Sequence, residues 1–403
     1  MKFRAAVFSL VLVALPAQAT DRWSFDTKLA VTGEPVSGVY PHLDGAGRKH
    51  IAIASEAVAA TWEDNRSGAP QVYVALKAND RNRFAAAMQV SGGGVAYEPA
   101  IASLPQNRFA LAWEQDGAIH ARVLTASGLG MPVELASKAA SHVSLASFDS
   151  RVFASWREQR DRLWFVKVAA LSITAAGQLA VDSITSIEAA GLETQVLFPS
   201  IAVNDAGLSV AWEDRRAGHT RLLVSRSPDQ GQSFGEPQHL NEFLSNRNQY
   251  DQGNGVTRVS LASFAQDEIL AAWMDKRRGG LGYGIFAALG SGGGAIFGPN
   301  EKVHGEAGDR QPHYNPAVAG NPDGDFVVAW DDFRRGDSDI WLSAYNEDDE
   351  WSQDFSPAIA SGAGEQSHPS IALDDQGRLH LLWIERADMD APGRLWYSRA
   401  IQR

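Results

Sequence analysis

The chain predicts an all-β fold, a seven-bladed β-propeller of four-stranded antiparallel blades, on three observations. Seven tryptophans each close a short apolar run and recur roughly every 50 residues, the spacing of a propeller blade. The same order of strand and turn residues surrounds each of them. The start of the chain also supplies one strand that the last repeat lacks.

The tryptophans are Trp62, Trp113, Trp156, Trp212, Trp273, Trp330 and Trp383. Each repeat opens on an apolar strand, in four cases after a proline: Pro99, Pro199, Pro316 and Pro369. A tight turn follows, at 204–207, 322–325 or 375–377, where Gly and Asp supply the backbone freedom a hairpin needs. The Trp strand comes second. A polar loop leads to a third strand such as 71–76 or 339–344, and a looser fourth completes the blade. The last repeat stops at its third strand, 394–398, while residues of about 22–33 precede the first blade as a spare fourth strand. Placed on the outside of blade seven, that strand closes the ring and removes a free edge. An indole buries roughly 200 Å², so seven of them at one register read as the packing layer between blades.

Residues 1–19 have a basic start, a short apolar run and an Ala17-Gln18-Ala19 exit, which read as a cleaved signal peptide. The apolar run is too short to span a membrane. Residues 20–403 then form a single propeller domain, periplasmic or secreted, since no linker or low-complexity stretch divides them. The chain has no cysteine, so disulfides, thiolate zinc sites and Cys nucleophiles are excluded. Its formal net charge of −12 excludes general nucleic-acid binding, which needs a basic footprint. No P-loop, nucleophile elbow or dinucleotide fingerprint is present. The histidines are dispersed without metal-ligand spacing, so no metal is expected beyond a structural calcium at an Asp/Gly turn such as 321–325.

Four repeats continue from the tryptophan as W-x-D-x-R-x-G, with Asp64/Arg66, Asp214/Arg216, Asp275/Arg277 and Asp332/Arg334. A pair repeated around a ring reads as a staple, within a loop or between blades. The basic residues outside that repeat are Arg157, Arg160, Arg162, Arg215, Lys276, Arg278 and Arg335, on consecutive blades three to six. They form either a solvated surface or an anion-binding rim. Strand alternation places the residues just before each inner strand around the channel mouth: Tyr40, His42, Tyr97, Glu98, His142, Phe198, Arg258, His313, Tyr314, Asn315 and His368. The longest connections there, 241–257 and 301–314, carry Tyr250, Asp251, Asp309 and Arg310, and the pocket is expected beside them. Ligand-binding candidates are Arg215, Arg258, Arg278, Arg335, Tyr40, Tyr97 and His368; catalytic candidates are Tyr314, His313, Arg310 and Asp309.

The segment Ser227-Pro228-Asp229-Gln230-Gly231-Gln232-Ser233-Phe234 matches the S-x-D-x-G-x-[ST]-[FW] Asp-box, and the blade grammar resembles the sialidase-like BNR-repeat propellers across the chain. The resemblance implies a turn between the third and fourth strands, opposite the functional face. It also implies, for sialidases proper, three arginines on a substrate carboxylate, a Tyr nucleophile helped by Glu, and an Asp acid/base. Against that pattern the chain has seven repeats and no Arg-Ile-Pro; Arg258-Val259 stands at the comparable place. The expected function is recognition of a glycan or other cell-envelope ligand, with a carbohydrate-active enzyme (glycosidase or lyase) or a protein-assembly scaffold as alternatives.

Overall fold

The computed structural model describes residues 23–187, 195–216, 219–242, 255–277, 282–345 and 350–402. Their strands form seven antiparallel sheets in a ring. The inner strands are Ile51–Ile53, Ala96–Leu104, Ala140–Phe148, Val196–Asn204, Thr257–Phe264, His313–Gly320 and Glu365–Leu373. The Trp strands are Ala57–Asp64, Arg108–Gln115, Arg151–Arg160, Gly207–Asp214, Glu268–Asp275, Phe326–Arg335 and Leu379–Arg386. The outer strands vary most. In blade three it is the long Leu179–Ile187, whereas in blade six only the bridges Leu342–Phe355 and Tyr345–Trp351 mark it among the described residues. Blade seven takes its outer strand from the start of the chain: Trp23 pairs with Gln402, Phe25 with Ala400 and Leu29 with Tyr397.

Alternation along the Trp strand explains how the blades hold together. The indole points toward the preceding blade, and the seven apolar cores all lie between blades. Trp156 packs on Ala110, Ala112 and Ile119 of blade two, and Trp62 on Leu382, Ile384 and Leu395 of blade seven. The residue two positions on shares the indole's side. It accepts the indole N–H in blades one, two, three, five and six: from Trp62 at 2.8 Å (Asp64), Trp113 at 3.0 Å (Gln115), Trp156 at 3.2 Å (Glu158), Trp273 at 3.1 Å (Asp275) and Trp330 at 3.2 Å (Asp332). The degenerate repeats of blades two and three therefore keep the acceptor while losing the motif, whereas in blade seven Glu385 is bonded by Lys28 and not by Trp383. In the full motif the arginine closes back on the same carboxylate, as Arg277 Nε does on Asp275 at 2.9 Å and Arg334 Nε on Asp332 at 2.9 Å. The guanidinium then lies over the aromatic ring on the third strand, Tyr73, Phe286 or Trp341. The repeated Asp/Arg pairs are loop staples.

The 227–234 segment forms a turn between the third strand of blade four, Arg221–Ser227, and its outer strand, Gln238–His239. Asp229 Oδ1 accepts from Ser227 Oγ at 2.8 Å and from the Ser233 N–H at 2.9 Å, and Thr185 of blade three donates to Gly231 O at 2.7 Å. No helix among the described residues is long and apolar enough to cross a membrane.

Asp332 serves Trp330, Arg334 and His313 at once, so Asp332→Ala strands several buried donors. The expected loss is about 3–5 kcal/mol in urea unfolding. Gln115→Ala, which removes a neutral acceptor, costs about 1–2 kcal/mol.

Candidate functional site at the channel mouth

In six blades the inner strand begins with a β-bulge whose residue has left-handed backbone, and in blade one Arg48, at the end of a 3₁₀ turn before the inner strand, holds the same conformation. These residues are Arg48 (φ 52°), Glu98 (46°), His142 (59°), Phe198 (48°), Arg258 (59°), Asn315 (55°) and His368 (58°). None is glycine, and each conformation costs on the order of 1–2 kcal/mol. The bulge re-aims these side chains at the rim of the central channel.

The residue after each tryptophan faces the following blade, and in four blades it is a carboxyl that braces the next bulge. Glu63 Oε2 accepts the Glu98 N–H at 2.7 Å, Glu213 Oε1 the Arg258 N–H at 2.8 Å, and Asp331 Oδ1 the His368 N–H at 2.8 Å. Glu114 does the same for the backbone of His142. Burial is the main reason Glu63, Glu114 and Asp331 hold their protons unusually well. Glu63 is pushed up to about 8, Glu114 to about 7 with help from Glu98, and Asp331 to about 7.

Blade one departs from the others because residues 43–50 plug the channel. The 3₁₀ turn Ala46–Arg48 packs against the inner strands of blades two to six. Gly47 fits there because a side chain would strike Ser200 Oγ at 2.6 Å. Arg48 donates to Pro369 O at 3.2 Å, Asn315 Oδ1 at 3.1 Å and Leu43 O at 3.0 Å, tying the plug to blades six and seven. Lys49 Nζ reaches across to Leu261 O at 2.6 Å, and burial lowers it to about 8. Burial alone would raise the Asp44 carboxyl, but His368, Arg48 and Arg258 around it hold it below the usual range.

Beside the plug, over blades one to three, lies a cleft of about 540 Å³. Its lining includes Asp44, Glu63, Tyr97, Glu98, Glu114, His142, Arg157, Trp164 and Arg258. His142 Nδ1 is 2.8 Å from Glu98 Oε2, and its ring lies 4.0 Å from that of Phe198. The Arg258 guanidinium covers the same phenyl ring at 3.8 Å, and its Nη1 is buried without a protein partner. Arg157 donates to Ser141 Oγ at 2.6 Å and lies over Trp164 at 4.3 Å. The cleft thus joins proton-holding carboxyls, an oriented imidazole and two guanidinium groups.

Of the sequence candidates, Arg258 and Tyr97 line this cleft, and His368 stands beside it, its Nε2 3.7 Å from Asp44. The others are not brought together with them. His313 is fully buried, with Nε2 3.0 Å from Gly308 O and Nδ1 3.0 Å from Asp332 Oδ2, because it lies two strand positions before the bulge and not at it. It therefore does not match His368, whose counterpart in blade six is Asn315. Tyr314 packs edge-on against Tyr283 and Phe333, Asp309 is bound by Lys302 at 2.7 Å, and Arg310 is exposed on the surface. Arg215 lies 3.9 Å from Glu213 and Arg335 3.5 Å from Asp339, each with its own blade. Tyr40 is exposed on the loop before the plug, its backbone N–H on Asn65. Arg278, Tyr250 and Asp251 lie outside the described residues. The cleft therefore sits over blades one to three and not beside 301–314, because that connection folds back on its own blade through His313 and Gly308. In the 321–325 turn, Asn321 and Asp325 bond each other, and no group of three metal-ligating side chains occurs among the described residues.

No family model and no curated protein matches the chain. Among solved structures it is similar to the polysaccharide lyase Uly1, with a TM-score of 0.56 at 10% identity over 95% of this chain and 98% of that one. It is also similar to the α-L-arabinanase of Penicillium chrysogenum, with a TM-score of 0.52 at 13% identity over 94% and 98%. A third likeness is to the endosialidase of phage phi92, with a TM-score of 0.51 at 10% identity over 94% and 70%. At these identities the likeness is one of fold.

The raised carboxyls set a sign for stability against pH. Glu63, Glu114 and Asp331 hold protons in the folded chain that the unfolded chain has already released. Their contribution is full in acid and is lost as pH rises through about 7 to 8. His50, His304 and His368, lowered by burial to about 3, act in the opposite sense but only below the ordinary histidine range. Thermal melts are therefore expected to fall between about pH 6.5 and 8.5, and Glu63→Gln, which keeps the acceptor oxygen, to flatten that fall.

Proposed function

We propose that the protein is a carbohydrate-active enzyme that breaks glycosidic bonds in a carboxylated glycan at the channel-mouth cleft. The observation that carries this reading is Arg258, whose buried, unpartnered Nη1 stands in the same cleft as the His142–Glu98 pair and Glu114. A uronate carboxylate bonded to Arg258 loses negative charge, which makes the adjacent C–H more acidic. His142, its Nδ1 held by Glu98, removes that proton through Nε2. Glu114, poised near 7 by burial, returns a proton to the leaving oxygen as the glycosidic C–O bond breaks and a C=C bond forms. The likeness in fold to a polysaccharide lyase, an arabinanase and an endosialidase supports carbohydrate as the substrate class. The signal-like residues 1–19 support action outside the cytoplasm.

Hydrolysis is the second reading, favoured by carboxyls in two protonation states. Glu63 or Glu114 keeps a proton for the leaving group while Asp44 stays ionised. Pure recognition, the first expectation from the sequence, needs no such set of proton-transfer groups.

The purified protein is to be assayed on polygalacturonate, polysialate and chondroitin sulfate for new reducing ends and for unsaturated, ultraviolet-absorbing ends. Unsaturated products identify the elimination; reducing ends alone identify hydrolysis. His142→Ala is expected to lower kcat by about 10²–10⁴-fold. Arg258→Gln is expected to raise KM for the acidic polymer as well as lower kcat. Full activity in both variants would overturn the assignment of this cleft.

A further inference from the structure

The cleft is open on one side because two neighbouring hairpins differ in height. In blade two the Trp strand runs two residues past Trp113 and turns at Asp116-Gly117, so that Gln115 pairs with Ala118. In blade three it runs four residues past Trp156 and turns at Asp161-Arg162, so that Arg160 pairs with Leu163. Both turns have positive φ at both central residues: 51° and 79° in blade two, 51° and 68° in blade three. That backbone makes the tightest two-residue hairpins. Two extra residues per strand lift the blade-three hairpin roughly 7 Å above its neighbour. In blade one the same connection takes the whole of 65–70.

The low hairpin is fastened from below. Gln115 Nε2 donates to Gly92 O at 2.6 Å and to Gly93 O at 2.9 Å, and Asp116 Oδ1 accepts the Val95 N–H at 3.1 Å. A side chain on Gly94 would lie 1.8 Å from Asp116 Oδ2, so the glycine run is what lets this connection lie flat beneath the hairpin. Gly117 and Ala139 line that edge of the cleft, with no large side chain on either. The facing wall is different. It carries Trp164, half-buried with Arg157 over its ring, and rises to the exposed Arg160 and Arg162.

We propose that this step is the path of a polymer. An acidic polysaccharide leaves the reacting centre at His142 over the Gly117 sill, flanked by Trp164 and Arg157, so the protein binds internal stretches of chain. The aromatic surface takes sugar C–H groups and the guanidinium takes a carboxylate or sulfate one or more residues away from Arg258. This rests on the glycan reading above.

Equilibrium binding tests it, using whichever of polygalacturonate, polysialate or chondroitin sulfate the wild-type chain retains, together with that polymer's disaccharide and octasaccharide. The octasaccharide is expected to bind about tenfold tighter than the disaccharide. Trp164→Ala is expected to cut octasaccharide affinity about tenfold more than disaccharide affinity, and Trp164→Phe to restore most of it. Replacing Asp116-Gly117 by the six residues 65–70 of blade one raises the sill and is expected to remove the octasaccharide advantage. Affinity independent of length, or equal losses on both ligands in Trp164→Ala, overturns the groove and leaves the cleft assignment standing. Retention of none of the three polymers overturns the glycan reading and the groove with it.

Discussion

The left-handed residue ahead of each inner strand is the constraint on which the channel mouth depends. Seven non-glycine residues hold left-handed backbone there, a region that residues with a side chain rarely occupy. The neighbouring blade makes it tolerable. In four blades a carboxyl one position after the tryptophan accepts the bulge N–H across the interface. That carboxyl is in place because the indole beside it is locked into the core on its other side. Blade packing and site geometry are thus two faces of one strand, read at odd and even positions.

The same arrangement ties structure to proton chemistry. Glu63, Glu114 and Asp331 sit between blades, and burial there is what raises them into the neutral range. No separate device is needed to create a group that carries a proton at neutral pH next to an imidazole and a guanidinium. The plug completes the design by filling the centre of the ring. With Arg48 bonded to two blades and Lys49 reaching a third, the open space at this mouth lies in the cleft at its side.

The propeller was legible in the sequence because its signal is repeated: seven tryptophans, recurrent turns, and a spare strand before the first blade. The bulge positions were legible too, since six of the seven stand just before a recognisable inner strand. Arg48 was not, because blade one has a short inner strand and no proline, and the plug that displaces it has no counterpart in the other repeats. The bracing acids Glu63, Glu114, Glu213 and Asp331 were visible as residues, yet the Asp/Arg staple one position further on is the louder pattern. Alternation would have separated the two, because only the staple shares the indole's side. His313 and Tyr314 misled because strand position, not distance from a proline, decides which side chain reaches the mouth. Trp164 carried no repeat signal at all: it owes its place to the length of a single hairpin.

The seam in blade seven has a mechanical meaning. The first described strand runs antiparallel to the last, so Trp23 lies beside Gln402 and the two ends of the described chain meet at one end of the seam. Tension applied between those ends peels the seam bond by bond instead of loading its hydrogen bonds in parallel. Peeling it also draws Trp23 and Phe25 from the core between blades six and seven, and Leu29 and Val31 from that between blades seven and one. The seam is accordingly a clasp, one whose opening under load is sequential but cannot be separated from the two blade interfaces it fastens.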